Sequence, residues 1–130
     1  MLDHIGFSVS DLKRSKAFYE KALAPLGIGK ILELSADQTG GSGHAGFGED
    51  GKPYFWIGDA AGSVLRGTLH VAFVAANRAA VDAFYQAALS AGGSDNGAPG
   101  LRPHYHANYY GAFVIDPDGH NVEAVCHRPA

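Results

Sequence analysis

Two stretches decide the fold: LDHIGFSVSDLKRSKAFYEKALAPLG (Leu2–Gly27) and TLHVAFVAANRAAVDAFYQAALSAGG (Thr68–Gly93). Set against each other at a constant offset of 66, they are identical at His4/His70, Phe7/Phe73, Ala17/Ala83, Phe18/Phe84, Tyr19/Tyr85, Ala22/Ala88, Leu23/Leu89 and Gly27/Gly93. Ordinary residue usage would give roughly one or two identities in a stretch of this length. The chain is therefore read as two copies of one unit, a first module over about 1–60 and a second over about 67–130, within a single domain.

Each copy opens with a strand pattern and continues with a helix pattern. Ile5, Phe7 and Val9 alternate with His4, Gly6 and Ser8, the period of a half-buried strand. Asp11 or Ser10 then caps a helix whose apolar positions, among them Leu12, Phe18, Tyr19, Ala22 and Leu23, recur at three and four. In the second copy Leu69, Val71 and Phe73 alternate, and Asn77 caps the helix carrying Val81, Phe84, Ala88 and Leu89. Further strands are expected at 30–34, 44–48, 53–58, 109–115 and 121–127, with Asp116-Pro117-Asp118-Gly119 as a hairpin turn. Residues 92–107 read mostly as loop, with room for one short strand, and 59–67 as the connection between copies. The expected class is α+β: two βαβββ modules, a curved eight-stranded mixed sheet, helices on its convex face and a ligand cup on its concave face.

Composition narrows the function. Ten Lys+Arg against thirteen Asp+Glu give a formal charge of −3, so neither nucleic acid nor an acidic membrane is expected as a partner. One cysteine, Cys126, excludes an internal disulfide framework and leans toward a reducing, cytoplasmic compartment. The opening residues lack the apolar stretch of an export signal, and no membrane-spanning run is read.

The chemistry lies in two histidines and a carboxylate. His4 and His70 stand at equivalent places in the opening strands, on the face away from the helices. Glu123 alternates with Val122, Ala124 and Cys126 and so should also point into the cup. Aligning the copies through Phe47/Phe113, with a two-residue slip in the turn, sets Phe55 opposite Glu123 as the fourth cup position. Tyr54 and Trp56 then face the helices. Two imidazoles and a carboxylate on rigid strands suit divalent Fe, Mn, Zn, Co or Ni as a cofactor, the metal set being His4, His70 and Glu123. The plainer reading makes each a satisfied or solvated strand residue. Pairing Glu123 with about Ala112 adds Tyr110 as a proton or hydrogen-bond donor, and symmetry adds His44 as a base or extra ligand. His104 and His106, in the loop over the cup mouth, read as anion contacts or a proton shuttle, or more plainly as exposed loop residues, and His120 and His127 receive no role.

These same residues carry a resemblance. The opening LDHIGFSVSDLKRSKAFYEKALAPLG, the strand TLHVAFVA and the closing YYGAFVIDPDGHNVEAV resemble the vicinal oxygen chelate superfamily over nearly the whole chain. That superfamily includes glyoxalase I, extradiol dioxygenases, fosfomycin-modifying thiol transferases and bleomycin-resistance proteins. The resemblance implies paired βαβββ modules in a homodimer, with metal ligands at the symmetric positions that His4, His70 and Glu123 match. It further implies a lyase, isomerase or dioxygenase that takes a small substrate through two adjacent oxygens, with Glu123 as ligand or base. The alternative it implies is a bleomycin-resistance-like binder without catalysis. For a phosphonate substrate, Arg66 and Arg102 are the arginines the sequence offers.

Overall fold

A computed structural model describes residues 1–59, 64 and 69–130. Most of the 59–67 connection, Arg66 included, lies outside the described residues. The described elements are β1 (Ile5–Ser8), α1 (Leu12–Leu23), β2 (Gly29–Leu34), α2 (Ala36–Thr39), β3 (His44–Glu49) and β4 (Lys52–Gly58), then β5 (His70–Val74), α3 (Arg78–Ser90), β6 (Ser94–Leu101), β7 (Tyr110–Ile115) and β8 (Asn121–Cys126). Their strands fall into two four-stranded sheets of the same order, β1-β4-β3-β2 and β5-β8-β7-β6. In each sheet the opening strand pairs in parallel with the closing one, and the remaining pairs are antiparallel. The architecture is α+β, with the eight strands divided equally between the copies.

Local chemistry explains the helix boundaries. The Asp11 carboxylate accepts from the Arg14 amide, and the Asn77 side chain accepts from the Ala80 amide, so both helices start on a side-chain cap. Behind α1 a 3-10 turn, Ala24–Leu26, ends at Gly27 in the left-handed region (φ 78°). The one-turn α2 carries a reciprocal capping box between Ser35 and Gln38 that the sequence reading did not include. β6 is longer than expected: an eight-residue strand runs beside β7 in a segment read mostly as loop, with five residues paired and register shifts around Gly97.

Aromatic residues fill the space between helix and sheet. Tyr19 of α1 packs edge-on to Phe55 of β4 at 4.9 Å, and Phe55 in turn meets Phe73 of β5 at 5.2 Å. Phe18, Tyr19, Phe47, Phe55 and Phe84 are all fully buried, forming one core that spans both copies. The Asp116–Gly119 turn contributes more than a reversal of the chain. Asp116 accepts from the amides of Asp118 and His120 with one oxygen and from the Tyr19 hydroxyl with the other. Asp118 accepts from the amide and hydroxyl of Ser10. The second copy's hairpin is thereby tied to the first copy's helix, and burial together with Asp116 raises the Tyr19 phenol well above its ordinary pKa.

Candidate functional site

The site is built where β5, β7 and β8 run side by side. Ala72 on β5 and Phe113 on β7 both stand opposite Glu123, which projects from the face away from α3. Two residues back along β5, His70 turns its Nε2 to within 2.9 Å of Glu123 Oε1. The other carboxylate oxygen accepts from the Tyr109 hydroxyl. Glu123 is only 1% exposed, which for a carboxylate is tolerable because both oxygens have partners. Burial first, and then the Glu123 hydrogen bond, push the Tyr109 phenol well above its usual range, so Tyr109 holds its proton toward the carboxylate. Gly111 forms the floor: a Cβ there would come within 3.2 Å of both Glu123 Oε2 and the Tyr109 ring. Above lies a pocket of about 580 Å³, walled by Phe113, His104, Tyr105, His106 and His127.

His4 lies elsewhere in the chain. It is exposed, hydrogen-bonded through Nδ1 to Asp3 at 2.7 Å, and lines a cleft of about 510 Å³ together with Ala72 and Val74. Lys52 also binds Asp3, and the His4 hydrogen bond, followed by Lys52, lowers the Asp3 carboxyl's pKa. Among the described residues no three His, Cys, Asp or Glu side chains come together at one point. The structure thus brings His70 and Glu123 together and leaves His4 on a different surface of the same chain.

Three placements correct the sequence reading. Phe55 is no cup residue: it is 1% exposed and packs on Tyr19, on the helix side. Trp56 is the counterpart of Glu123, since Gly6 faces Trp56 across β1–β4 as Ala72 faces Glu123 across β5–β8. The cause is one extra residue ahead of β7: Ala45↔Ile57 in the first sheet matches Ala112↔Ala124 in the second, an offset of 67. The Phe47/Phe113 identity therefore aligned residues from opposite faces, because one residue of slip reverses every side chain. Tyr110 is also on the helix side, where its hydroxyl donates to Asp82 of α3 at 2.6 Å and raises its own pKa by that bond. Its neighbour Tyr109 holds the place expected of it, and alternation counted from Phe113, the true partner of Glu123, would have found it. His44 stands on the open face of the first sheet beside Trp56, with Nε2 3.0 Å from Ser42 Oγ. Arg102 is engaged by the carbonyls of Ala98 and Gly100 and lies over the Phe113 ring.

The donor types at His70 and Glu123 suit a divalent cation: one imidazole nitrogen and one carboxylate oxygen aimed at each other from neighbouring strands at the base of a pocket. Together they offer two ligand atoms, fewer than a divalent cation takes.

Residues 1–124 match the sequence profile of the Glyoxalase/Bleomycin resistance protein/Dioxygenase superfamily. Solved structures agree. A glyoxalase/bleomycin resistance protein from Albidiferax ferrireducens T118 is 28% identical, with a TM-score of 0.80 and 99% of each chain covered. A mutant of glyoxalase I from Zea mays is 25% identical with a TM-score of 0.71, over 95% of this chain and 46% of that longer one. A mutant fosfomycin resistance protein from Listeria monocytogenes, complexed with Mn(II) and 1S,2S-dihydroxypropylphosphonic acid, shares the fold at 21% identity (TM-score 0.67, 97% and 91% covered). No curated protein matches the chain. No helix among the described residues is long and apolar enough to cross a membrane.

Proposed function

The chain belongs to the Glyoxalase/Bleomycin resistance protein/Dioxygenase superfamily, and from that premise we propose that it is a divalent-metal enzyme acting on a small substrate that presents two adjacent oxygens. The carrying observation is the buried Glu123 carboxylate, held between His70 and Tyr109 at the base of an aromatic pocket. His70 and Glu123 would hold the cation, and His4 of a second copy would complete the set, making the working unit a homodimer. What supports the exchange is the separation of His4 from the other two, together with the bare face around it: Val74 is 75% exposed and His4 and Ala72 are exposed. Bound there, a cation would supply Lewis-acid polarisation of neighbouring substrate oxygens.

The chain's own groups would do the rest. The phenol of Tyr109, on one side of Glu123, would fix the carboxylate's orientation and keep a proton within reach of a substrate oxygen. Tyr105, Tyr109 and Phe113 would exclude water from the pocket and press on a flat substrate. Arg102, the described one of the two arginines offered for a phosphonate, is engaged by backbone carbonyls and not free to grip one there.

A second reading rests on the same carboxylate. Both oxygens of Glu123 are satisfied inside the chain, as in a cup that binds a small molecule without metal. Titration with Mn²⁺ followed by calorimetry separates the two. Stoichiometric binding that is lost in His4→Ala, His70→Ala and Glu123→Gln supports the enzyme; a folded wild type that binds no Mn²⁺ supports the binder. Mixing His4→Ala chains with Glu123→Gln chains tests the exchange. Shared sites restore about a quarter of the binding capacity in a randomly mixed two-fold dimer, whereas sites within one chain restore none.

A further inference from the structure

The segment between β6 and β7 is a closed loop. The Arg102 amide donates to the Tyr109 carbonyl at 2.7 Å, the Tyr105 amide to Arg102 at 2.9 Å and the Tyr109 amide to His106 at 3.2 Å. Within it the His106 and His127 rings, the latter just beyond β8, lie with centroids 4.9 Å apart and planes 29° from parallel. The Asn108 amide donates to His106 Nδ1 at 3.0 Å. A backbone amide is always a donor, so that nitrogen carries a lone pair and the His106 proton sits on Nε2. Nε2 lies 2.7 Å from His127 Nδ1, which must therefore accept, leaving the His127 proton on its own Nε2. The hydrogen-bond chain thus assigns both tautomers and requires both rings to be neutral. The Tyr109 ring stands edge-on to the two imidazoles, at 5.5 Å from His106 and 5.3 Å from His127, with its hydroxyl on Glu123.

We infer that the His106–His127 pair is a positioning device for the site, holding Tyr109 on Glu123 while both imidazoles are neutral and releasing it when the pair takes up a proton. A proton added to His106 would go to Nδ1, against the Asn108 N–H. One added to His127 would go to Nδ1, against the His106 Nε2–H. Either way two donors face each other, and one of the two hydrogen bonds that join His106 to Asn108 and to His127 is lost, leaving only the backbone bonds to hold the loop. The same geometry argues against a metal between the rings, because His106 Nε2 has a lone pair only in the Nδ1–H tautomer, which would set a donor against the Asn108 N–H. The other titratable or charged groups around the pair are His70 of β5, Glu123 of β8, His104, Tyr105 and Tyr109 of the loop, Arg102 at its base and Arg128, next in the chain. Tyr109 stands between the pair and Glu123 and carries the effect to the carboxylate. The inference rests on the metal reading above only for what Glu123 is used for.

Long-range ¹H–¹⁵N NMR of the metal-free chain, taken from about pH 8 to about pH 5, tests it across the range where imidazoles titrate. At the upper end both residues are expected as Nε2–H tautomers, with a bonded Tyr109 signature assigned by its loss in Tyr109→Phe. On acidification the imidazole and Tyr109 signals move together. His127→Gln keeps an acceptor that does not titrate, so the Tyr109 signature persists to lower pH. His127→Ala loses it throughout, with unchanged far-ultraviolet circular dichroism. An Nδ1–H tautomer for His106 at the upper end overturns the inference, as does a Tyr109 signature in His127→Ala that follows the wild type at every pH. In a wild type that binds Mn²⁺, His127→Ala is expected to weaken the affinity about 10–100-fold, as loss of an outer-sphere partner does. A wild type that binds no Mn²⁺ sinks the metal reading alone, because the tautomer and Tyr109 readouts come from metal-free protein.

Discussion

Trp56 and Glu123 hold the same register position in their two sheets, one opposite Gly6 and the other opposite Ala72. The repeat is symmetric in backbone and asymmetric in chemistry. Where the second sheet sets a carboxylate, the first sets an indole that packs over Gly46, at which a Cβ would come within 2.9 Å of the ring. The two open faces are therefore unlike, one aromatic with His4 and His44 at its margins, the other acidic with His70 and Tyr109.

That placement separates two adjacent aromatic residues. Phe55→Ala removes a ring from the closed core and is expected to cost about 3–5 kcal/mol, read as a lower urea midpoint. Trp56→Ala, on the half-buried open face, is expected to cost clearly less. Equal losses would contradict the faces assigned to them.

Gly111→Ala inserts a methyl group 3.2 Å from the Glu123 carboxylate and from the Tyr109 ring. Overpacking of this kind costs about 1–3 kcal/mol. The expected result is a folded protein of lower melting temperature whose Tyr109–Glu123 contact is displaced, visible as a shift of the Tyr109 ring resonances. Unchanged resonances would mean that the floor has more room than its geometry shows.

Tyr109→Phe removes the hydroxyl that orients Glu123 while keeping the ring. If the site holds a cation, Mn²⁺ affinity should fall about 10–100-fold, the usual effect of losing a partner that orients a ligand. Tyr110→Phe, on the opposite face against Asp82, should leave that affinity unchanged. Calorimetric titration of the two variants side by side distinguishes them.

Alkaline stability tests the tie between the copies. Burial first, then Asp116, raises the folded-state pKa of Tyr19 above its unfolded value, so between those two values the native state binds more protons than the unfolded state. The contribution is complete below about pH 10, and stability falls as pH rises beyond it, by at most about 1.4 kcal/mol per pH unit for one group. Tyr19→Phe should flatten the decline of urea midpoints above about pH 10. Parallel slopes for wild type and variant would remove Tyr19 from the account.

Much of this molecule was legible in one dimension. The offset repeat, the Asp11 and Asn77 caps and the strand alternation foretold two like modules, because caps and periodicity act within a few residues of where they are written. Glu123 and His70 were legible for the same reason: each sits in a strand whose own alternation shows which face it takes. Phe55 and Tyr110 were misread because their faces depend on pairing with another strand, and one residue of offset turns a side chain from one surface to the other. Tyr109 was missed for the same reason, its strand's face having been counted from Ala112 instead of Phe113, while the His106–His127 pair lies in or beside a loop, where no period exists to read.

By itself, then, the amino-acid order determined the duplicated α+β architecture and the identity of one imidazole–carboxylate pair, since both follow from short-range pattern. Only the tertiary structure decided that Tyr109 completes that pair, that Trp56 is its counterpart, and that His4 stands apart from it within one chain. Those facts depend on strand register and on how the modules pack, which are set by the closing of long chain segments against one another.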